Sequence, residues 1–142
     1  QNLWTNGSIK GLLTGQYAGD TLLASDLFSI GGYGSVRGFQ PAQSTGNSGL
    51  QTSLELDQTV WQNGMWSVAV GPWFDGAWVW NSVPGAALDP ALYSLGLGPE
   101  LHTGISTIGD TSIRFDWAHP VGTYRDTNVG SDTFYVQLLQ TF

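Results

Sequence analysis

The sequence predicts an all-β chain, a six-stranded portion of an antiparallel transmembrane β-barrel with one long loop. Such a portion closes only with further strands or with another chain. Three observations lead there. Charged residues make up only 11% of the 142, whereas a soluble domain carries about 25%. Apolar and polar residues alternate with a period of two through most of the chain, and no run approaches the roughly 18 consecutive apolar residues of a membrane helix. Aromatic residues, including Trp4, Trp61, Trp66, Trp78, Trp80 and Phe142, gather near the ends of the alternating runs, as an interfacial girdle requires. Barrel strands alternate between lipid and lumen, which holds mean hydropathy near zero, here -0.06. A soluble β-sandwich would share the alternation, but it needs neither such scarce charge nor tryptophans at strand ends.

The first strand is expected over about Leu3 to Ala18, with Ile9, Leu13 and Tyr17 on one face and Ser8, Lys10, Thr14 and Gln16 on the other. The second covers about Leu50 to Val60, where Leu54 and Leu56 alternate with Ser53, Glu55 and Asp57. The third, about Trp66 to Trp80, sets Val68, Val70, Phe74 and Trp78 on one face and Asp75 on the other. The fourth, about Tyr93 to Thr103, alternates Leu95, Leu97 and Leu101 with Gly96, Gly98, Glu100 and His102. The fifth is TSIRFDWAHPV, with Ile113, Phe115 and Trp117 against Ser112, Arg114 and Asp116. The sixth is TFYVQLLQTF, ending at Phe142. The apolar sets face lipid. Lys10, Glu55, Asp57, Glu100, His102, Arg114 and Asp116 then line the lumen, where Arg114 and Asp116 can pair with Glu100 on the preceding strand.

Asn63-Gly64 is a tight hairpin signal, and Ile108-Gly109-Asp110 is another short turn. The connections Gly19 to Gly49, Asn81 to Leu92 and His119 to Asp132 are long, and Ala86 to Leu92 has room for one helical turn at most. Short turns on one side and long loops on the other fit an outer-membrane barrel with its short turns, and both chain ends, in the periplasm. Nothing at Gln1 reads as a signal peptide, so the sequence is expected to be a mature chain or an excised piece.

Several function classes fall away. A net charge of -7 disfavours nucleic acid. With no cysteine, neither a disulfide framework nor a thiolate metal site is possible. There is no G-x-S-x-G, and GYGSVRG lacks the following helix that a nucleotide loop needs. His102 and His119 are the two histidines, and His119, next to Pro120 at an expected strand end, reads as a rim residue. They make a weak metal or catalytic set, so no cofactor, no metal and no enzymatic activity are expected. Asn6-Gly7-Ser8 matches a glycosylation sequon, without meaning in a bacterial barrel strand.

The stretch FSIGGYGSVRGFQP carries Gly31, Gly32, Gly34, Val36, Arg37, Gly38 and Phe39. GGYGSVRGF resembles the VRGF or VRGY motif of the large loop in polypeptide-transporting outer-membrane barrels. FDWAHPVG and GNSGLQTSLEL resemble strands of the two-partner secretion transporters of the TpsB, ShlB or FhaC-like type, and Phe142 resembles the terminal signal read by barrel-assembly machinery. The resemblance covers essentially the whole chain. It implies a bacterial outer-membrane barrel of sixteen strands behind periplasmic POTRA domains, with residues 1–142 as its last six strands and residues 19–49 as the motif loop. It implies export of an unfolded exoprotein without nucleotide. The alternatives are a barrel-assembly or lipase-fused relative, or a passive pore. The partners implied are membrane lipid, the exoprotein, the barrel-assembly machinery, and the missing strands or another chain.

In that family the motif loop folds into the barrel and its arginine meets a wall aspartate in an F-x-D-x-G pattern. WFDGA resembles that pattern at Asp75, with Trp73 and Ala77 standing where Phe and Gly are usual. The residues point the same way. Asp75 lies opposite Phe74 and Val70 in the alternation, so it faces inward and wants a cation. Among Lys10, Arg37, Arg114 and Arg125, only Arg37 sits on a glycine-lined segment able to reach a mid-barrel wall. A bidentate Arg37–Asp75 pair is therefore expected.

Overall fold

The computed structural model describes residues 6–81, 90–105, 109–124 and 130–141. Trp4, Arg125, Phe142, most of the Ala86 to Leu92 segment and part of the Ile108 turn lie outside them.

Six long strands follow the alternation of the sequence: β1 (Gly7–Gln16), β4 (Ser48–Asn63), β5 (Trp66–Trp80), β6 (Ala91–Ile105), β7 (Gly109–Tyr124) and β8 (Thr133–Thr141). Two short strands, β2 (Phe28–Ile30) and β3 (Ser44–Gly46), form a separate hairpin inside the long first loop, after a single 3-10 turn at Ala24–Asp26. Among the described residues the long strands make one antiparallel sheet in the order β1-β4-β5-β6-β7-β8. β1 and β8 are its outer strands, so the sheet is open.

Register fixes the faces. Leu54 stands opposite Phe74, and Phe74 opposite Leu95; Phe115 stands opposite Val136. Leu54, Phe74, Leu95, Phe115 and Val136 are all exposed on this face. An antiparallel pair shares one face, so these residues form a continuous apolar surface of the kind lipid requires. Trp61, Trp66 and Trp78 are exposed at strand ends beside it.

Several boundaries differ from the sequence reading. The β4–β5 turn is Gly64-Met65, because Asn63 still pairs with Trp66. A two-residue hairpin of this kind puts its positive φ at the first central residue, and Gly64 has φ 57. β4, β6 and β7 all run longer than expected. β7 passes through His119 and Pro120 to Tyr124, so His119 lies within a strand and not at its end. The register shifts between Tyr93 and Ser94, which face Gly122 and Pro120, leaving Val121 as an extra residue. A bulge beside a proline lets the ladder continue past a residue with no N–H to give.

Candidate functional site

The long loop between β1 and β4 packs against the opposite face of the sheet. Ile30, Val36 and Phe39 from the loop bury themselves against Ala77 and Val79 of β5 and Leu92 of β6. This face is therefore apolar toward the long-loop end. A charged layer lies next to it.

Arg37 is the centre of that layer and is 4% exposed. Its Nε and Nη2 donate to Asp75 Oδ2 and Oδ1 at 2.7 and 2.9 Å, and its backbone N–H donates to Oδ2 at 3.2 Å. Nη1 lies 2.9 Å from Glu55 of β4 and 3.5 Å from Asp116 of β7. The guanidinium sits over the Trp73 ring, 3.6 Å from its centroid, a cation–π contact. Burial pulls the Arg37 guanidinium down, but the hydrogen bond and fields of Asp75, with Glu55 and Asp116, outweigh it and leave the pKa raised.

Arg114 completes the group. Its Nη1 reaches Glu55 at 3.1 Å and its Nε reaches Asp116 at 3.0 Å. Glu100 stands opposite Arg114 in the ladder, yet no ion pair joins them among the described residues; the guanidinium turns to Glu55 and Asp116 instead. Two arginines thus face three carboxylates. Hydroxyls supply further donors, Ser53 to Asp75 at 2.7 Å and Tyr33 to Asp116 at 3.3 Å.

The remaining lumen-face residues sit toward the short-turn end. Lys10 pairs with Asp57 at 2.8 Å. With Glu100, His102, Asn6, Ser8 and Thr59 they line an open cavity, and no group of three His, Asp or Glu residues among those described could hold a metal. His119 faces outward and bonds Asp132 at 2.6 Å.

Positive φ at Gly31, Gly32 and Gly38 fits the glycine reading of the loop; Gly34 does not have it. Gly38, at φ +89, would place an added methyl 3.1 Å from Pro120 Cγ. Sequence reasoning put Ser53 on the inner face without giving it a partner, and passed over Tyr33, Tyr135 and Gln137. The last two lie in TFYVQLLQTF on the side opposite Phe134, Val136 and Leu138, so alternation alone assigns them to the inner face.

No curated protein and no solved structure matches the chain. Residues 7–101 match the family described as haemolysin secretion/activation protein ShlB/FhaC/HecB. These are outer-membrane β-barrel transporters of the two-partner secretion type, a class of protein transporter and not of enzyme. With two thirds of its length matched, an open antiparallel sheet and an apolar outer face, the chain belongs to the ShlB/FhaC/HecB family of haemolysin secretion/activation proteins.

Proposed function

We propose that this chain is the loop-bearing part of a secretion barrel's wall, through which an unfolded exoprotein passes without nucleotide or metal. The residues 19–49 loop is the element that the cargo must meet. Further strands, on the same polypeptide or another, close the sheet, and Phe142 serves as the signal for barrel assembly. The observation that carries the reading is the bidentate Arg37–Asp75 pair, which fastens a glycine-rich loop to the inner wall. Its two members are 4% and 1% exposed, so losing one strands the other in a confined space.

The test is a double-mutant cycle on secreted cargo, with barrel abundance measured separately. Arg37→Ala and Asp75→Ala should each impair secretion, and the double variant should be little worse than either, because the two act as a unit. Strictly additive losses would defeat the reading. A passive pore would conduct ions without cargo and be indifferent to both substitutions. Removing Phe142 should lower the amount of folded barrel; undiminished barrel with lost secretion would overturn its assembly role.

A further inference from the structure

The loop has a second attachment that uses no charge pair. The Gly38 N–H donates to the Tyr135 hydroxyl on β8 at 3.0 Å. Across the same residue, Ser131 N–H donates to the Gly38 carbonyl at 3.1 Å. Both polar groups of one loop residue are thus taken up by the segment leading into the last strand and by that strand itself. Tyr33 adds a contact nearby: its ring lies 5.0 Å from that of Tyr135, and its hydroxyl is 3.0 Å from Gln137 Oε1. One phenol proton cannot serve both Asp116 and Gln137 fully. A turned Gln137 amide would donate to the phenol oxygen while the phenol donates to Asp116.

We propose that Tyr135, helped by Tyr33, is a positioning residue for the transport reaction: it latches the motif loop to β8 independently of the Arg37–Asp75 pair. The geometry separates the two fastenings. Arg37 is held by β4, β5 and β7, whereas Gly38, the next residue, is held by β8. β8 is an outer strand of the sheet, so releasing the latch frees the loop from an edge without disturbing the charged layer. The proposal rests on the reading that an inward loop controls secretion.

The experiment uses one added thiol, since residues 1–142 contain no cysteine, with the same protein lacking the added thiol as the labelling background. Ser35→Cys suits it: the Ser35 hydroxyl is buried and makes no hydrogen bond among the described residues, so a near-isosteric thiol there stays covered while the loop is docked. A membrane-impermeant maleimide reports loop release in the assembled protein. Tyr135→Phe keeps the ring and removes the hydroxyl, so labelling should quicken about five-fold at equal folded abundance, the scale of one hydrogen bond. Combined with Arg37→Ala, the rates should multiply. Labelling of Tyr135→Phe at the parent rate would overturn the latch. If Tyr135→Phe fails to assemble, amide hydrogen exchange at Gly38 in the parent tests the same bond: slow exchange supports the latch, and exchange at the rate of an open loop amide overturns it. Faster labelling with normal secretion would leave the latch standing and sink the functional reading. Parent labelling of Tyr135→Phe with secretion lost in Arg37→Ala would do the reverse.

Discussion

Arg37 is held by a fork, a stack and a backbone hydrogen bond together. Lysine keeps the charge but neither the planar fork nor the same stacking. Arg37→Lys should therefore secrete less than the parent and more than Arg37→Ala, and equal activity of the lysine variant and the parent would count against bidentate geometry. Deleting one member of a buried pair typically destabilises by about 3–5 kcal/mol, and lumen water reduces that. Trp73→Ala removes the stack, worth about 0.5–2 kcal/mol beyond packing. Gly96 stands opposite Trp73, and an added methyl there would overlap the Trp73 indole and the Trp117 carbonyl. Gly96→Ala should lower the thermal unfolding temperature of the folded barrel in detergent, while Gly34→Ala, in open space, should leave it unchanged. The inward parity of Asp75 and the glycine-lined setting of Arg37 are legible in the sequence. The roles of Glu55, Arg114 and Asp116 around Arg37 are not, because parity puts charges on one face without saying which will touch.

At the level of strands, the decisive property is which face meets lipid. Phe115 is 51% exposed on the apolar side, and arginine there should destabilise the inserted protein by about 2–4 kcal/mol if it sits near mid-membrane. Gln51, opposite Ala77, shares the inner face with Asp75, so Gln51→Arg should cost far less. Unfolding from lipid vesicles compares them, and equal losses would overturn the facing. Most strands are legible because a period of two admits few alternatives. Three features are not. The turn moves to Gly64-Met65 because backbone φ, not the preference for Asn-Gly, selects its first residue. β7 continues past His119 and Pro120 because a bulge absorbs the missing N–H. The β2–β3 hairpin pairs only three residues on each side, too short for alternation to register.

For the molecule as a whole, the contacts of the loop show that the sheet is curved. Neighbouring strands lie about 4.8 Å apart, so β4 and β8 would be about 19 Å apart on a flat sheet. Yet the consecutive residues Arg37 and Gly38 bond Glu55 on β4 and Tyr135 on β8. Arg37 Nη1 also lies 2.9 Å from Glu55 on β4 and 3.5 Å from Asp116 on β7. Those strands would be about 14 Å apart on a flat sheet, which two short acidic side chains cannot span, so the sheet curls around the loop. The two outer strands, β1 and β8, cannot remain unpaired in lipid, where unmade backbone hydrogen bonds are very costly. The particle purified in detergent should therefore contain more strands than this sheet alone. A particle with the mass of one 15.2 kDa chain would contradict that.

The two fastenings of the loop also lie at very different distances along the chain, and this sets an order of events during biogenesis. Arg37 finds Asp75 after 38 intervening steps of sequence, whereas Gly38 must wait for Tyr135, 97 residues on. The longer closure costs more chain entropy, by about 0.8 kcal/mol from length alone, and it needs a strand that is made after β5. Charge is thus expected to capture the loop early, and β8 to lock it late. A thiol at position 35, where the native hydroxyl is buried, should become protected in two phases when followed through assembly, with the slower phase missing when Tyr135 lacks its hydroxyl; a single phase in both proteins would mean that capture and locking are one step.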